Sequence, residues 1–134
     1  VTIYLVDNSV WQKAARSPAI AKRMRELPPQ HLVMTCPPQV LEYCYSARNA
    51  AEFRELRDDM ARFIPADHHP DEHDVLDLQQ ALWEKGLRRA AAAFDCLIAA
   101  YAMANDAIVL HSDRDFACIA EAVGPAFRQE YVPE

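Results

Sequence analysis

The sequence predicts an α/β fold, an α/β/α sandwich around a central, mainly parallel sheet. Two observations carry that prediction. Short apolar runs of strand length alternate along the chain with stretches of helical periodicity, the pattern of a parallel sheet covered on both faces. One of the helical stretches, 92–105, is apolar almost all round, so it belongs inside a layered structure rather than on its surface. A chain of 134 residues buries roughly two-thirds of its unfolded surface, enough for a core without staples. One domain spanning 1–134 is expected, with no internal repeat, low-complexity tract or linker.

Ile3–Val6 is a short apolar run that stops at Asp7-Asn8-Ser9, as a strand meeting a helix N-cap would. Helical spacing continues through Trp11 to Leu27, with a break expected at Pro18, and Pro28-Pro29 stops it. HLVMT, 31–35, reads as a second strand. Pro37-Pro38 opens a helix on which Val40, Leu41, Cys44 and Tyr45 recur at three-to-four spacing. A charged amphipathic helix follows over about 50–62, and Phe63–Ala66 is a candidate third strand. The polar segment 68–74 contains Pro70 and reads as a loop. Helix resumes at Asp71 or Asp74, runs to Lys85 and is closed by Gly86. After the apolar helix come a strand, Ala107–His111, a short helix, Phe116–Val123, and a final strand, Phe127–Val132.

Composition excludes several functions. Only two glycines are present, and neither GxGxxG nor GxxxxGK[ST] occurs, which argues against a Gly-rich phosphate loop. A net charge of -6 is the wrong sign for a broad basic nucleic-acid surface. An RNA substrate would need local cationic patches and bound divalent metal, whereas the acidity directly suits metal binding or a basic protein partner. Cys36, Cys44, Cys96 and Cys118 form no CxxC and complete no zinc pattern with histidine. Cys44 and Cys96 lie in apolar helical runs as small hydrophobes, which points to a reducing, cytoplasmic setting. The opening VTIYLVDNSVW lacks the charged start of a signal peptide. The longest nearly uncharged stretch, 90–104, contains an aspartate and is too short to span a bilayer, so no membrane partner is expected.

Four carboxylates stand out. Asp7 directly follows the first strand and Asp113 follows the AIVLH strand, so both belong at the carboxyl edge of a parallel sheet, where ligands bind. Each, taken alone, is equally an N-cap or turn aspartate. Asp95 is the one charge between Ala90 and Ala104. An unpaired carboxylate on so apolar a helix costs several kcal/mol, so it needs a cation, donors, or a salt bridge to Arg88 or Arg89. Its place near the helix start also favours negative charge. Glu42 is a weaker signal, because Gln39, Glu42, Ser46 and Asn49 form a polar stripe that a solvated helix face explains as well. Convergence of the four would raise their pKa values by mutual repulsion, and divalent cations would relieve it. All-oxygen ligation with retained water suits Mg²⁺ or Mn²⁺, and such a site suits phosphodiester hydrolysis without a side-chain nucleophile.

In chain order, LVDNSVW, the Glu within QVLEYCYSAR, FDCLIAAYA and VLHSDRDFACIA resemble the four acidic motifs of PIN-domain ribonucleases, in particular the VapC-type toxins of toxin–antitoxin pairs. The resemblance runs from residue 3 to about 132, and the DxLIAA and LHxDxDFxxIA segments are its most specific parts. It implies a PIN-like fold and endonucleolytic RNA cleavage with Mg²⁺ or Mn²⁺ on Asp7, Glu42, Asp95 and Asp113, helped by Asp115. Ser9 and Ser112 match small hydroxyl positions that hold water at the metal or orient the carboxylates. Arg89 matches an arginine of a GLxR segment that contacts phosphate or pairs with a carboxylate. A homodimer is implied as well, and a cognate VapB-type antitoxin that inserts a segment, often with an arginine, into the acidic pocket. The chain departs from the usual pattern at Asn8, commonly threonine, and at Ala90–Ala93, where four alanines favour continued helix over a turn.

Other chemistry is weaker. His68, His69 and His73 with Asp71 and Asp74 match no metal motif and read as a solvated loop. His111 reads as a packed strand histidine before a proton shuttle, and the tryptophans and tyrosines as core or interface before base-stacking platforms. Cys96 lacks a base and is not a candidate nucleophile. An aspartate-based phosphoryl-transfer protein is the enzymatic alternative, but it needs a lysine near its aspartates and no lysine follows Lys85. A degenerate, partner-binding PIN domain is the non-enzymatic one.

Overall fold

A computed structural model describes residues 2–27, 31–87 and 91–134. The chain runs β1 (Thr2–Val6), α1 (Asn8–Ala14), α2 (Pro18–Glu26), β2 (His31–Thr35), α3 (Pro37–Tyr45) and α4 (Ala50–Met60). It continues β3 (Ile64–Pro65), α5 (Glu72–Glu84), α6 (Ala93–Ala104), β4 (Ile108–His111), α7 (Arg114–Val123) and β5 (Gln129–Tyr131).

Local chemistry sets most of these limits. Pro18 does break the first helical stretch: Ser17 caps α2, its side chain accepting from the Ile20 N–H, with Pro18 in the first turn. The expected stop at Pro28-Pro29 lies outside the described residues. Asn49, expected on the polar stripe of the preceding helix, lies beyond α3 and is the exposed cap of α4. Asp71 and Asp74 form a reciprocal capping box at the start of α5, and Gly86, at φ 73°, turns the chain after it. Of the alanine run, Ala91 and Ala92 are not helical, since α6 begins only at Ala93 behind an extended Ala92, while Ala90 lies outside the described residues. α7 starts two residues before Phe116 because Asp113 caps it. The outer strands are shorter than expected, β3 covering Ile64–Pro65 and β5 Gln129–Tyr131, and each pairs along a single edge.

The five strands form one sheet in the order β3-β2-β1-β4-β5, and every pairing is parallel. The chain builds outward from β1 through β2 to β3, then crosses back to add β4 and β5 on the other side. Alternate residues feed two cores, as a strand's period of two requires. Leu5, Met34 and Val109 pack with Cys96, Ile98, Leu78 and Phe116 of α5, α6 and α7. Tyr4, Val6 and Leu110 pack with Val10 of α1, Ile20 of α2 and Leu27 just after it. The apolar helix α6 is buried where expected, with Cys96, Ile98, Ala99 and Ala102 at 0% exposure. Because α3 leaves the carboxyl end of β2 and touches both α1 and α6, it bridges the two helical layers beside that edge. Among the described residues, no helix is long and apolar enough to cross a membrane.

Phe116 is fully buried between His111 and Phe127, with ring centroids 5.3 and 6.4 Å away. Phe116→Ala is therefore expected to cost about 3–5 kcal/mol. Asp71→Ala, which removes an exposed capping box, is expected to cost about 1 kcal/mol. Urea denaturation followed by circular dichroism measures both.

Candidate metal centre

The chain reverses its direction of travel across the sheet between β1 and β4, and the crevice beyond their carboxyl ends is where such sheets bind ligands. Asp7 stands at that point. Its N–H donates to the Leu110 carbonyl at 2.9 Å, extending the β1–β4 pairing by one residue. Its carboxylate caps α1, accepting from the Ser9 N–H at 3.0 Å. The capping role is thus real, yet one carboxylate has two oxygens and the cap engages Oδ2. Asp95 enters from the first turn of α6 and Glu42 from α3. Asp7, Glu42 and Asp95 each bring an oxygen to within 4.8 Å of the other two.

Glu42 is placed by a contact the sequence did not reveal. Asn8 donates from Nδ2 to the Gln39 carbonyl at 3.1 Å, and Gln39 Nε2 donates back to Asn8 Oδ1 at 3.4 Å. Gln39 is buried rather than part of an exposed stripe, and its side chain also reaches Met60 Sδ. This amide pair ties the start of α1, beside Asp7, to the turn of α3 that precedes Glu42. The departure from threonine at Asn8 was the visible signal, since the longer asparagine amide donates from Nδ2 and accepts at Oδ1, on two separate atoms.

Asp113 lines the same cavity, of about 730 Å³, but stands outside the close triad. It caps α7, accepting from the Asp115 N–H at 3.0 Å, while its own N–H donates to His111 Nδ1. Asp115, in the first turn of α7, faces Asp95. Ser9 Oγ accepts from the Ser112 N–H at 2.9 Å, joining α1 to the β4–α7 turn. Ser112 is buried at 3% exposure, and Lys13 Nζ donates to its carbonyl at 2.6 Å. Both hydroxyl residues thus orient the loop that carries Asp113. Arg89 lies outside the described residues, as does Arg88.

The electrostatics follow from the crowding. Burial is the largest influence on Asp7 and raises its pKa, opposed by the Ser9 hydrogen bonds and reinforced by the charge of Asp113. Glu42 is raised by burial and then by Asp7. Asp95 is pushed furthest, to about 8, by burial first, then by its hydrogen bond to Asp115 and the charges of Asp7, Asp115 and Glu42. Among the described residues, no ion pair reaches the triad. All-oxygen donors with raised pKa values and no described counter-charge fit a hard divalent cation.

The remaining candidates take structural roles. His111 is buried, bonded through Nε2 to Gln129 and packed against Phe116 and Tyr131. His69 bonds the Tyr101 hydroxyl at 2.8 Å, and His68 is pinned through its backbone by Asn105. Burial pushes the Cys96 thiol up to about 11, which suits a core residue and not a nucleophile. Lys13, the lysine nearest in sequence to Asp7, is engaged by Ser112 and Glu134, 2.9 Å away. Among the described residues lining the cavity there is no lysine for aspartate-based phosphoryl transfer. Three of the tryptophans and tyrosines are not core: Trp83 is 61% exposed, Tyr131 50%, and Tyr45 89%, the last at the cavity rim.

A parallel sheet with acids gathered at its switch point, flanked by helices on both faces, defines a PIN-type domain. The PIN domain profile matches residues 4–122, and the chain belongs to the PIN domain family. Ribonuclease VapC21 of Mycobacterium tuberculosis is 34% identical over 124 residues, covering 89% of this chain and 87% of that protein. Ribonuclease VapC51 of the same organism is 33% identical over 125 residues, covering 90% and 88%. Among solved structures, VapBC2 from Rickettsia felis, bound to a DNA fragment from its promoter, superposes with a TM-score of 0.72 at 17% identity. That match covers 98% of this chain and 99% of the other. VapBC-5 of Mycobacterium tuberculosis, a toxin–antitoxin family member, gives 0.65 at 22% identity over the full length of both chains.

A carboxyl whose folded pKa is raised holds its proton more tightly folded than unfolded. Stability of the metal-free protein therefore falls as pH rises from the unfolded value near 4 towards the folded value of about 8. Asp95→Asn removes this penalty. In chelator at pH 8 the variant is expected to melt about 3 °C or more above wild type, with little difference at pH 4. Added Mn²⁺ should reverse the order at pH 8, stabilising wild type more. Differential scanning fluorimetry at the two pH values checks it.

Proposed function

We propose that this chain is a divalent-metal-dependent endoribonuclease of the VapC type, the toxin of a toxin–antitoxin module. The carrying observation is the convergence of Asp7, Glu42 and Asp95 from three separate elements to within 4.8 Å. These three would hold Mg²⁺ or Mn²⁺, with Asp113 and Asp115 completing the acidic ring from the β4–α7 side. A divalent cation bound there supplies positive charge for the phosphate and acidifies water at the site.

The protein's own contribution is positioning. Asp7 is oriented by its cap on α1, in which Oδ2 accepts from the Ser9 N–H, and it still offers an oxygen to the triad. Asp113 is fixed by its cap on α7 and by Ser9 and Lys13, which grip the Ser112 peptide from its two sides. The Asp95 carboxyl, pushed up to about 8, holds a proton near neutral pH, and a cation bound there would displace it. The relatives named as ribonucleases support RNA as the substrate.

The solved relatives titled VapBC support a VapB-type antitoxin as partner, and an acidic pocket in a chain of charge -6 suits an inserted arginine. A homodimer belongs to the same proposal. Four free thiols, three of them buried, fit a reducing cytoplasm.

Purified protein freed of antitoxin is expected to cleave a mixed cellular RNA pool with Mg²⁺ or Mn²⁺ and to stop on addition of chelator. Asp7→Asn and Asp95→Asn should each lose at least about 100-fold in rate, with unchanged circular dichroism. Sequencing the 5′ ends of the fragments identifies the cleaved site. A wild type inert with both metals would favour a binding-only PIN domain.

A further inference from the structure

We propose that Tyr45 and Phe94 form a nucleobase platform at the mouth of the acidic cavity, on which an unpaired base beside the cleaved phosphate stacks. The proposal rests on the reading of this chain as an RNA-cleaving enzyme and adds how the RNA is held. Tyr45 is the last residue of α3 and Phe94 the second residue of α6, directly before Asp95. Both line the cavity that contains Asp7, Glu42 and Asp95. Tyr45 is 89% exposed and Phe94 41%, and Leu41, one turn before Tyr45 on the same rim, is 63% exposed. The other aromatics of this end of the molecule are used internally: Tyr43 meets Trp11 edge-on at 6.3 Å, and Trp11 packs on Phe63 at 5.5 Å. Neighbouring positions of one helix thus send Tyr43 into the packing and Tyr45 out over the acids.

Charge decides what such a rim can hold. RNA is a polyanion, and this chain carries -6 with carboxylates concentrated at the site. Among the described residues lining the cavity there is no lysine or arginine to grip flanking phosphates. For the described residues of this mouth, contacts beyond the phosphate met by the metal are therefore to neutral parts of the nucleotide. Aromatic faces supply them, because every base offers a π-face and stacking needs no charge. A base within a duplex has both faces covered, so the platform selects nucleotides that are unpaired. A cavity of about 730 Å³ is of the size that takes a ligand as large as a nucleotide.

The test uses single-stranded oligoribonucleotides cleaved by the full chain with Mn²⁺. Tyr45→Ala is expected to raise KM about 5- to 100-fold with kcat little changed, Phe94→Ala to act in the same direction, and Tyr45→Trp to restore KM. Calorimetric Mn²⁺ affinity should stay at the wild-type value, which separates loss of stacking from damage to the acids. Replacing the nucleotide beside the cleaved bond with an abasic residue should erase the difference between wild type and Tyr45→Ala. Quenching of 2-aminopurine in a bound oligoribonucleotide reads stacking directly, whether or not cleavage occurs. Loss of quenching in Tyr45→Ala supports the platform even if the wild type is inert, an outcome that would sink only the nuclease reading. Unchanged KM and unchanged quenching in both alanine variants overturn the platform. If those variants also escape the antitoxin, the rim is a protein-docking surface instead.

Discussion

Where β1 pairs with β4, the strands added early in the chain meet those added late, and the Asp7 N–H to Leu110 carbonyl bond at 2.9 Å closes that seam. The site depends on this pairing. It puts the residue after β1 beside the residues after β4, so Asp7 and Asp113 share an edge although 106 positions separate them in the chain. Ser9 to Ser112 and Lys13 to Ser112 repeat the same seam with side chains. Every one of these contacts joins α1 or its cap to β4 or to the turn that follows it, so the two aspartates are held as one unit.

Against this scaffold works the repulsion of the acids it gathers. Burial and like charge raise the pKa values of Asp7, Glu42 and Asp95 together, which means the fold is paying for an arrangement it would not adopt for stability alone. The compensation is spread through the surroundings: a fully buried core on each face of the sheet, capped helices, and the Asn8–Gln39 amide pair. Gln39 leaves its Oε1 without a hydrogen-bond partner in the described structure. That is a further cost accepted to lock α3 against α1, and so to fix Glu42.

Much of this was legible in the sequence because local rules govern it. The β–α alternation, the break at Pro18, the closure at Gly86 and the burial of the middle of α6, at Cys96 and Ile98–Ala102, follow from proline, glycine and periodicity. The structure agrees with each, while the start of that helix is exposed at Phe94. Boundaries moved where a side chain recruited the backbone, as Asp113 did in starting α7 early. The alanine run before Asp95 was misleading, because helix propensity is weak beside the need to turn the chain into α6. Glu42 and Tyr45 were the least readable. Their helix presents alternatives at every turn, and only its contacts with α1, α4 and α6 settle which residues face the acids, the packing or the solvent.

By itself, then, the sequence determined the fold class and the two aspartates at strand ends, since both depend on the order of strands and on which residue follows each. It also marked Asp95, because a single charge in an apolar helix conflicts with burial unless something is bound to it. Tertiary structure alone decided that Glu42 completes the close triad while Asp113 stands one step away, that Gln39 is buried, and that Tyr45 overlooks the cavity. These are questions of how one helix is rotated and tilted against others. Rotation is set by long-range packing, such as the Asn8–Gln39 pair, whose partners lie 31 residues apart and leave no periodic trace in the chain.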